Sequence, residues 1–278
     1  MNIGFHASTA GGLVNAPLEA VKIGCKTFQV FSKSPQKWAA ADLTPESITL
    51  FKNAVKTYNL CPVVVHTGYL INLASPNEEL YRKSIDSFSN EIVRAEAIGA
   101  DYISTHIGSC GDCDKKEALG RIKKGVKEAV SLSESVKIKI LFENSAKIKS
   151  PGGEFKDLAF LAKTCGERYG LTLDTCHAFA AGYDFRRYEI LDNCLKEVER
   201  IAGSDKVKVV HLNDSKGEFG SGIDRHEHLG RGNLGREGIC NIINHPLIVK
   251  LAFILETPKE PEGSDASNVK YARPCSVM

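Results

Sequence analysis

Residues 61–66 read CPVVVH: a proline, three β-branched valines and a terminal histidine. So short a β-branched run predicts a strand. The segment behind it changes period, with Leu80, Ser84, Phe88, Ile92, Ala95 and Ile98 falling three or four residues apart on one helical face. The same alternation recurs along the whole chain. The strand-like runs are NIGFH (2–6), KTFQVF (26–31), CPVVVH, ADYISTH (100–106), KIKILFE (137–143), YGLTLD (169–174), KVKVVHLN (206–213) and KLAFILE (250–256). Residues 117–132 and 188–201 carry the helical period again. Eight runs with helix-length spacers read as parallel strands joined by crossover helices. No Pro/Gly/Ser-rich linker divides the 278 residues, a length that suits one barrel. The expectation is therefore an α/β chain folded as a single domain over 1–278, a TIM (β/α)8 barrel, with 262–278 as a peripheral tail and an open doubly wound sheet as the alternative.

Composition narrows the function classes. Hydrophobic residues make up 42% and charged residues 25%, ordinary for a globular chain, and no window reaches the roughly 20 apolar residues of a membrane span. A formal net charge of +2 gives no bulk attraction for nucleic acid, so any phosphate contact must come from a local patch. Nine cysteines without a secretory signal predict reduced thiols, with Cys110 and Cys113 as loop cysteines, because a structural zinc site would need a second C-x-x-C. An intracellular protein is expected, cytoplasmic or, in a eukaryote, nuclear or mitochondrial. The terminal CSVM has the form of a prenylation box at Cys275, but the weakly basic residues before it and the lack of a second anchor argue against that use.

The ends of the runs carry the chemistry. His66, His106, Glu143, Asp174, His211 and Glu256 each close a strand-like segment. In a barrel these ends share one face, the face that carries the active site. One buried histidine would be an ordinary hydrogen-bonded core residue, and His6 is read that way. Six converging imidazoles and carboxylates need cations, because an unpaired buried charge costs several kcal/mol. His177 in LDTCHAFAAGYD, and Asp224 and His226 in DRHEH (224–228), add three further candidates. DRHEH alone would read as a solvated loop. Imidazole with carboxylate suits zinc, with Mn or Fe as alternatives at one position, and nine ligands exceed what one tetrahedral ion can use. Several ions sharing a carboxylate point to phosphoryl chemistry.

HTGYLINLA (66–74), LFENSA (141–146), LDTCHAFAAGYD (173–184), HLNDSKGEFGSGIDRHEHLGRGNLG (211–235) and ILETP (254–258) resemble the endonuclease IV family of apurinic/apyrimidinic DNA endonucleases. The resemblance begins at GFHASTAGGLVNA (4–16) and covers nearly the whole chain. It implies a TIM barrel with three zinc ions. His66, His106 and Glu143 would hold one, and Glu143 would bridge to a second held by Asp174, His211 and Glu256. His177, Asp224 and His226 would hold the third. It also implies hydrolysis of the phosphodiester 5′ to an abasic nucleotide in double-stranded DNA by a monomeric enzyme, giving 3′-hydroxyl and 5′-deoxyribose phosphate ends. Glu143 and Glu256 would be the catalytic carboxylates. Tyr69 and Leu70 would wedge into the duplex, with Gln36, Lys37 and Arg225 as further DNA contacts.

The chain departs from the family pattern at several places. Gln36 and Lys37 stand where an arginine is usual, Lys147, Ile148 and Lys149 replace a glycine-rich turn, and Gly222 and Arg231 replace an arginine and a glutamate. None of these is a ligand position. Two rival readings are a metal-dependent sugar isomerase or epimerase on the same barrel, which leaves His177, Asp224 and His226 unexplained, and a non-catalytic binder of damaged DNA, which has no use for the full ligand set.

Overall fold

The computed structural model describes residues 1–135 and 137–277, and the side chains of all of these but Ser276 and Val277. In chain order the elements are β1 (Asn2–Phe5), α1 (Asn15–Ile23), β2 (Phe28–Phe31), α2 (Pro45–Thr57), β3 (Val63–His66), α3 (Glu78–Ala97) and β4 (Tyr102–His106). They continue with α4 (Lys115–Ser133), β5 (Lys139–Glu143), α5 (Phe155–Cys165), β6 (Tyr169–Asp174), α6 (Thr175–Ala181), α7 (Tyr188–Ala202) and β7 (Val207–His211). A two-residue ribbon, β8 (Asp214–Ser215) with β9 (His226–Glu227), precedes α8 (Gly235–Asn244), β10 (Ala252–Leu255) and α9 (Ser264–Ala272).

The eight longer strands form one all-parallel sheet in the order β1-β10-β7-β6-β5-β4-β3-β2, so the expected barrel is borne out and the open sheet is not. Its seam, between β1 and β2, is bridged by the His6–Gln29 pair. Local chemistry fixes where helices start. Thr44, Asn77 and Asp114 each accept a backbone N–H three residues on, at 3.1, 2.9 and 3.0 Å, and satisfy donors that a helix start leaves free. The helical stripe read behind CPVVVH is the buried side of α3, with Ser84, Phe88, Ile92 and Ala95 facing the barrel. Among the described residues no helix is long and apolar enough to cross a membrane.

Two interior layers position the site. Val64, Leu141, Val209 and Ile254 form a buried apolar cluster of their own, one residue from each of β3, β5, β7 and β10. β3, β5 and β7 alternate around the barrel and β10 is the neighbour of β7, and branched side chains pointing inward in this way fill the bore of such a barrel. Side chains two positions further along a strand return to the same face. For these four strands those residues are His66, Glu143, His211 and Glu256, so the metal-ligand types stand directly above an apolar plug.

The cysteines correct the sequence expectation. Cys110–Cys113 and Cys240–Cys275 are disulfide-bonded, while Cys25, Cys61, Cys165, Cys176 and Cys194 are free. The tight turn at 110–113 and the packing of the chain end against α8 bring the Cα atoms to 5.6 and 5.0 Å, within bridging range. Cys275 is buried and its sulfur is taken up by Cys240, so it is closed to a prenyl group; Met278 of the CSVM stretch lies outside the described residues. Residues 264–272 pack as α9 against β1, β10 and α8, burying Val269 and Ala272.

The seam also yields a stability test. A Cβ at Gly4 would lie 1.9 Å from the Thr27 carbonyl oxygen, so β1 approaches the start of β2 closely only because residue 4 lacks a side chain. Gly4→Ala should cost about 1–3 kcal/mol through overpacking, measured as a lower urea midpoint at unchanged m-value. An unchanged midpoint would contradict this close approach.

Candidate metal centre

His66, His106, Glu143, Asp174 and His211 are the last residues of β3, β4, β5, β6 and β7, and Glu256 directly follows β10. His177 enters from the first turn of α6, which begins there because Asp174 caps it, its carboxylate accepting the His177 N–H at 2.7 Å. Asp224 and His226 arrive from the loop that the β8–β9 ribbon folds back over the rim. That ribbon loop is tied down by Asp214. Its buried carboxylate accepts the N–H groups of Gly230, Gly232, Leu234 and Gly235 at 2.9–3.2 Å.

The structure brings all nine ligand candidates together. Among the described residues, four groups have ligand atoms within 4.8 Å of one another: His66, His106 and Glu143; Glu143, Asp174, His211 and Glu256; Asp174, His177 and His226; and Cys176, Asp224 and His226. Glu143 is common to the first two, as a bridging carboxylate would be. His177 Nε2 and His226 Nε2 lie 3.0 and 3.4 Å from Asp224 Oδ1, so the third set expected from the sequence is also assembled. Asp174 Oδ2 lies 3.6 Å from His226 Nε2, between the second and third sets. Cys176 was not anticipated. Burial pushes its thiol up, and its Sγ donates to the Arg225 carbonyl at 3.5 Å, which marks it as a packed thiol rather than a thiolate ligand.

The imidazoles test whether cations fit. His66 Nδ1 faces the Thr67 carbonyl at 2.8 Å, His177 Nδ1 the Asn144 carbonyl at 3.0 Å and His226 Nδ1 the Glu256 carbonyl at 3.0 Å. A carbonyl only accepts, so in each ring Nδ1 carries the proton and Nε2 turns a lone pair inward. The inward atoms meet carboxylates: His66 Nε2 lies 2.8 Å from Glu143 Oε2, and the buried Nε2 atoms of His177 and His226 face Asp224 Oδ1 at 3.0 and 3.4 Å. Lone pair against carboxylate repels unless a positive charge stands between them. A metal ion fits that place, with each ring held by its other nitrogen as a metal-bound histidine is.

Without metal, protons must take that role. For His177 burial opposes the charge, but Asp174, Asp224 and Glu143 outweigh it and push the ring up to about 10. His211 is driven well above its usual value against its own burial by Glu256 and Glu143, and His66 upward against its burial by Glu143. Burial alone would raise Glu143 and Glu256, yet the neighbouring histidines hold both well below the carboxylate range. His106 goes the other way: burial and the rings of His66 and His177 push it down despite Glu143.

Other side chains, not anticipated from the sequence, hold the ligands. Asn144 receives the Asp174 N–H at 2.7 Å and donates to the Asp174 carbonyl at 2.9 Å. Asn213 donates to Asp174 Oδ2 at 2.7 Å and accepts from the Glu256 N–H at 2.8 Å. Gln29, in the middle of β2, contacts His6, His211 and Glu256. A glutamine inside an otherwise apolar strand run was the legible signal.

The centre opens into two lobes of about 530 and 490 Å³, which share Tyr69, His106, His177 and Asp224. Phe31, Pro258 and Lys259 wall the first; Asn72, Lys147 and Ser150 wall the second. Tyr69 stands 61% exposed between them, edge-on to Phe31 at 5.4 Å. Its loop is pinned from beneath, since Gly68 N–H donates to Glu91, whose buried carboxylate pairs with Lys33 at 3.5 Å, and Tyr69 N–H donates to the Pro35 carbonyl at 3.0 Å. Leu70 is half-buried, while Gln36, Lys37 and Arg225 are exposed and line neither lobe. Of the departing residues, Lys147 and Gly222 line the second lobe and Arg231 lines a separate cleft.

Comparison with known proteins places this geometry. Residues 17–274 match the family model described as xylose isomerase-like TIM barrel. A protein of Methanosphaerula palustris named "Probable endonuclease 4" is 38% identical over 282 residues, covering 100% of this chain and 99% of that protein. Another of that name, from Halothermothrix orenii, is 42% identical over 262 residues, covering 93% and 94%. The crystal structure of endonuclease IV from Thermus thermophilus superposes with a TM-score of 0.89 at 35% identity, over 99% of this chain and 98% of that one.

The histidine charges give a pH test. A ring whose folded pKa is about 10 against 6.5 unfolded contributes stability that is fully present below pH 6.5 and lost as pH rises through about 10. Metal-free protein should therefore lose Tm steadily over that window, and saturating zinc should flatten the slope, because the ion replaces the proton. A metal-free Tm independent of pH there would contradict the proton-for-metal exchange.

Proposed function

The chain belongs to the endonuclease IV family, and from that premise we propose that it hydrolyses the phosphodiester on the 5′ side of an abasic nucleotide in duplex DNA. It acts as a monomer with three zinc ions and leaves 3′-hydroxyl and 5′-deoxyribose phosphate ends. The observation that carries this reading is the third ligand set, His177, Asp224 and His226, adjoining two sets that share Glu143. A sugar isomerase or epimerase has no need of that third set, and a passive binder has no need of any.

Nitrogen and carboxylate oxygen donors suit zinc. Ions held there would polarise the phosphoryl oxygens and bring the pKa of a water molecule toward neutrality. The protein's own residues do the rest. His66, His106 and Glu143 hold one edge of the phosphate site, Asp174 and His211 its floor, and His177, Asp224 and His226 the side of the leaving oxygen. The Glu256 carboxylate lies at the edge of the first lobe, where Oε2 can orient the attacking water and take its proton. Tyr69 and Leu70 fill the gap left when the damaged nucleotide leaves the stack, offsetting an unstacking cost of a few kcal/mol. Selectivity follows from extrusion, because a nucleotide without its base is the one that costs least to take out of the stack. Gln36, Lys37 and Arg225 lie outside both lobes and contact the duplex backbone.

Two experiments test the assignment. Glu256→Gln should lower kcat by about 10²–10⁴-fold while the Kd for abasic duplex changes little; equal loss of binding and turnover would contradict its role. Tyr69→Ala with Leu70→Ala should keep the metal content and lose nicking of an abasic duplex, with a much smaller loss on a single-stranded abasic oligonucleotide at the same salt. Equal losses on the two substrates would rule out a duplex wedge.

A further inference from the structure

Between the apolar plug of the barrel and the ligands above it lies a thin polar layer. Ser104 and Thr172 share a hydrogen bond of 2.8 Å there, and Gln29 is fully buried beside the seam. The Gln29 amide makes three contacts: Nε2 to Glu256 Oε1 at 2.5 Å, Nε2 to His6 Nδ1 at 3.0 Å, and Oε1 to His211 Nε2 at 2.9 Å. Which end of an amide is oxygen has to be inferred from its partners. Here the carboxylate decides. Ionised Glu256 only accepts, so the NH₂ must face it and the oxygen must face His211.

Two tautomers follow. His211 Nε2 must carry a proton to meet the Gln29 oxygen, which leaves Nδ1 toward Glu143 and Glu256, at 3.2 and 3.1 Å, as the atom free to bind an ion. The second amide hydrogen points at His6 Nδ1, so that nitrogen accepts and the neutral His6 ring carries its proton on Nε2. His6 Nε2 is buried, has no hydrogen-bond partner among the described residues, and belongs to a ring that walls the first lobe.

We propose that Gln29 is the positioning residue of this centre: a single amide fixes the tautomer of His211, restrains the Glu256 carboxylate and sets the tautomer of His6, whose ring walls the substrate lobe. The inference rests on reading the cluster as a metal centre, and is independent of which substrate is cut. Because Gln29 also pairs with His6 across the barrel seam, its placement is locked by backbone as well as side chain. Without the amide, His211 could hold its proton on Nδ1, where it would compete with the ion.

The test uses zinc-loaded protein with ¹⁵N-labelled histidine. In the wild type, His211 should show a protonated Nε2 with a metal-bound Nδ1, and His6 a neutral ring protonated on Nε2. Gln29→Leu keeps the volume and removes all three contacts. It should release one ion at about 10–100-fold lower chelator concentration than the wild type, the rest leaving as before, and lower kcat with little change in KM. Gln29→Glu retains an acceptor for His211 and, because two carboxyl groups this close share a proton, has a single hydrogen, which Glu256 takes and His6 loses; it should preserve the His211 pattern and lose that of His6. Wild-type chelation and histidine shifts in Gln29→Leu would overturn the proposal. So would a uniform loss of all ions together with a lower Tm, which marks a packing role. Should Gln29→Leu fail to fold, an unaltered His6 pattern in Gln29→Glu overturns it. A wild-type protein that shows the expected chelation behaviour but does not nick abasic DNA would sink the proposed function and leave this inference standing.

Discussion

The Glu143 carboxylate, 1% exposed at the end of β5, is the constraint around which the rim is built. An ionised carboxylate out of water costs several kcal/mol unless positive charge surrounds it. Glu143 meets His66 at 2.8 Å, His211 at 3.2 Å and His177 at 3.4 Å. These rings come from three different places in the barrel, so the charge balance of one residue requires β3, β7 and α6 to be in register with β5. The same balance explains why the metal-free centre must carry protons and why cations should displace them.

Each ring then has to be turned correctly, and the protein uses carbonyl groups to do it. Thr67, Asn144 and Glu256 each offer a backbone oxygen to one ring nitrogen and so direct the other inward. His211, fully buried at the end of β7, meets a side-chain amide instead. Function-bearing loops are anchored in the same manner: Asp214 gathers four N–H groups of the 230–235 turn, and Glu91 holds the N–H beside Tyr69. The loops of the rim thus rest on buried carboxylates that are themselves hydrogen-bonded or paired.

Much of this was legible in the sequence. The eight strand-like runs and their helical spacers determine the parallel barrel, because period-2 and period-3.6 patterns cannot be exchanged without exposing the core. A ligand-type residue at the end of six runs determines where chemistry collects, since parallel strands place all those ends on one face. DRHEH was ambiguous alone and became interpretable only beside the other ligands.

Tertiary structure decided what depends on contacts between residues distant in the chain. Gln29 and Glu256 are 227 positions apart, Asn213 and Asp174 39, and no periodicity records that they meet. The same holds for Cys240 and Cys275, whose pairing needed the chain end to fold back on α8. Which residues can bind an ion is written in their chemistry, and the sequence displays it. Which nitrogen of each ring is free to bind depends on the partner of the other nitrogen, and that partner is chosen only when the barrel closes.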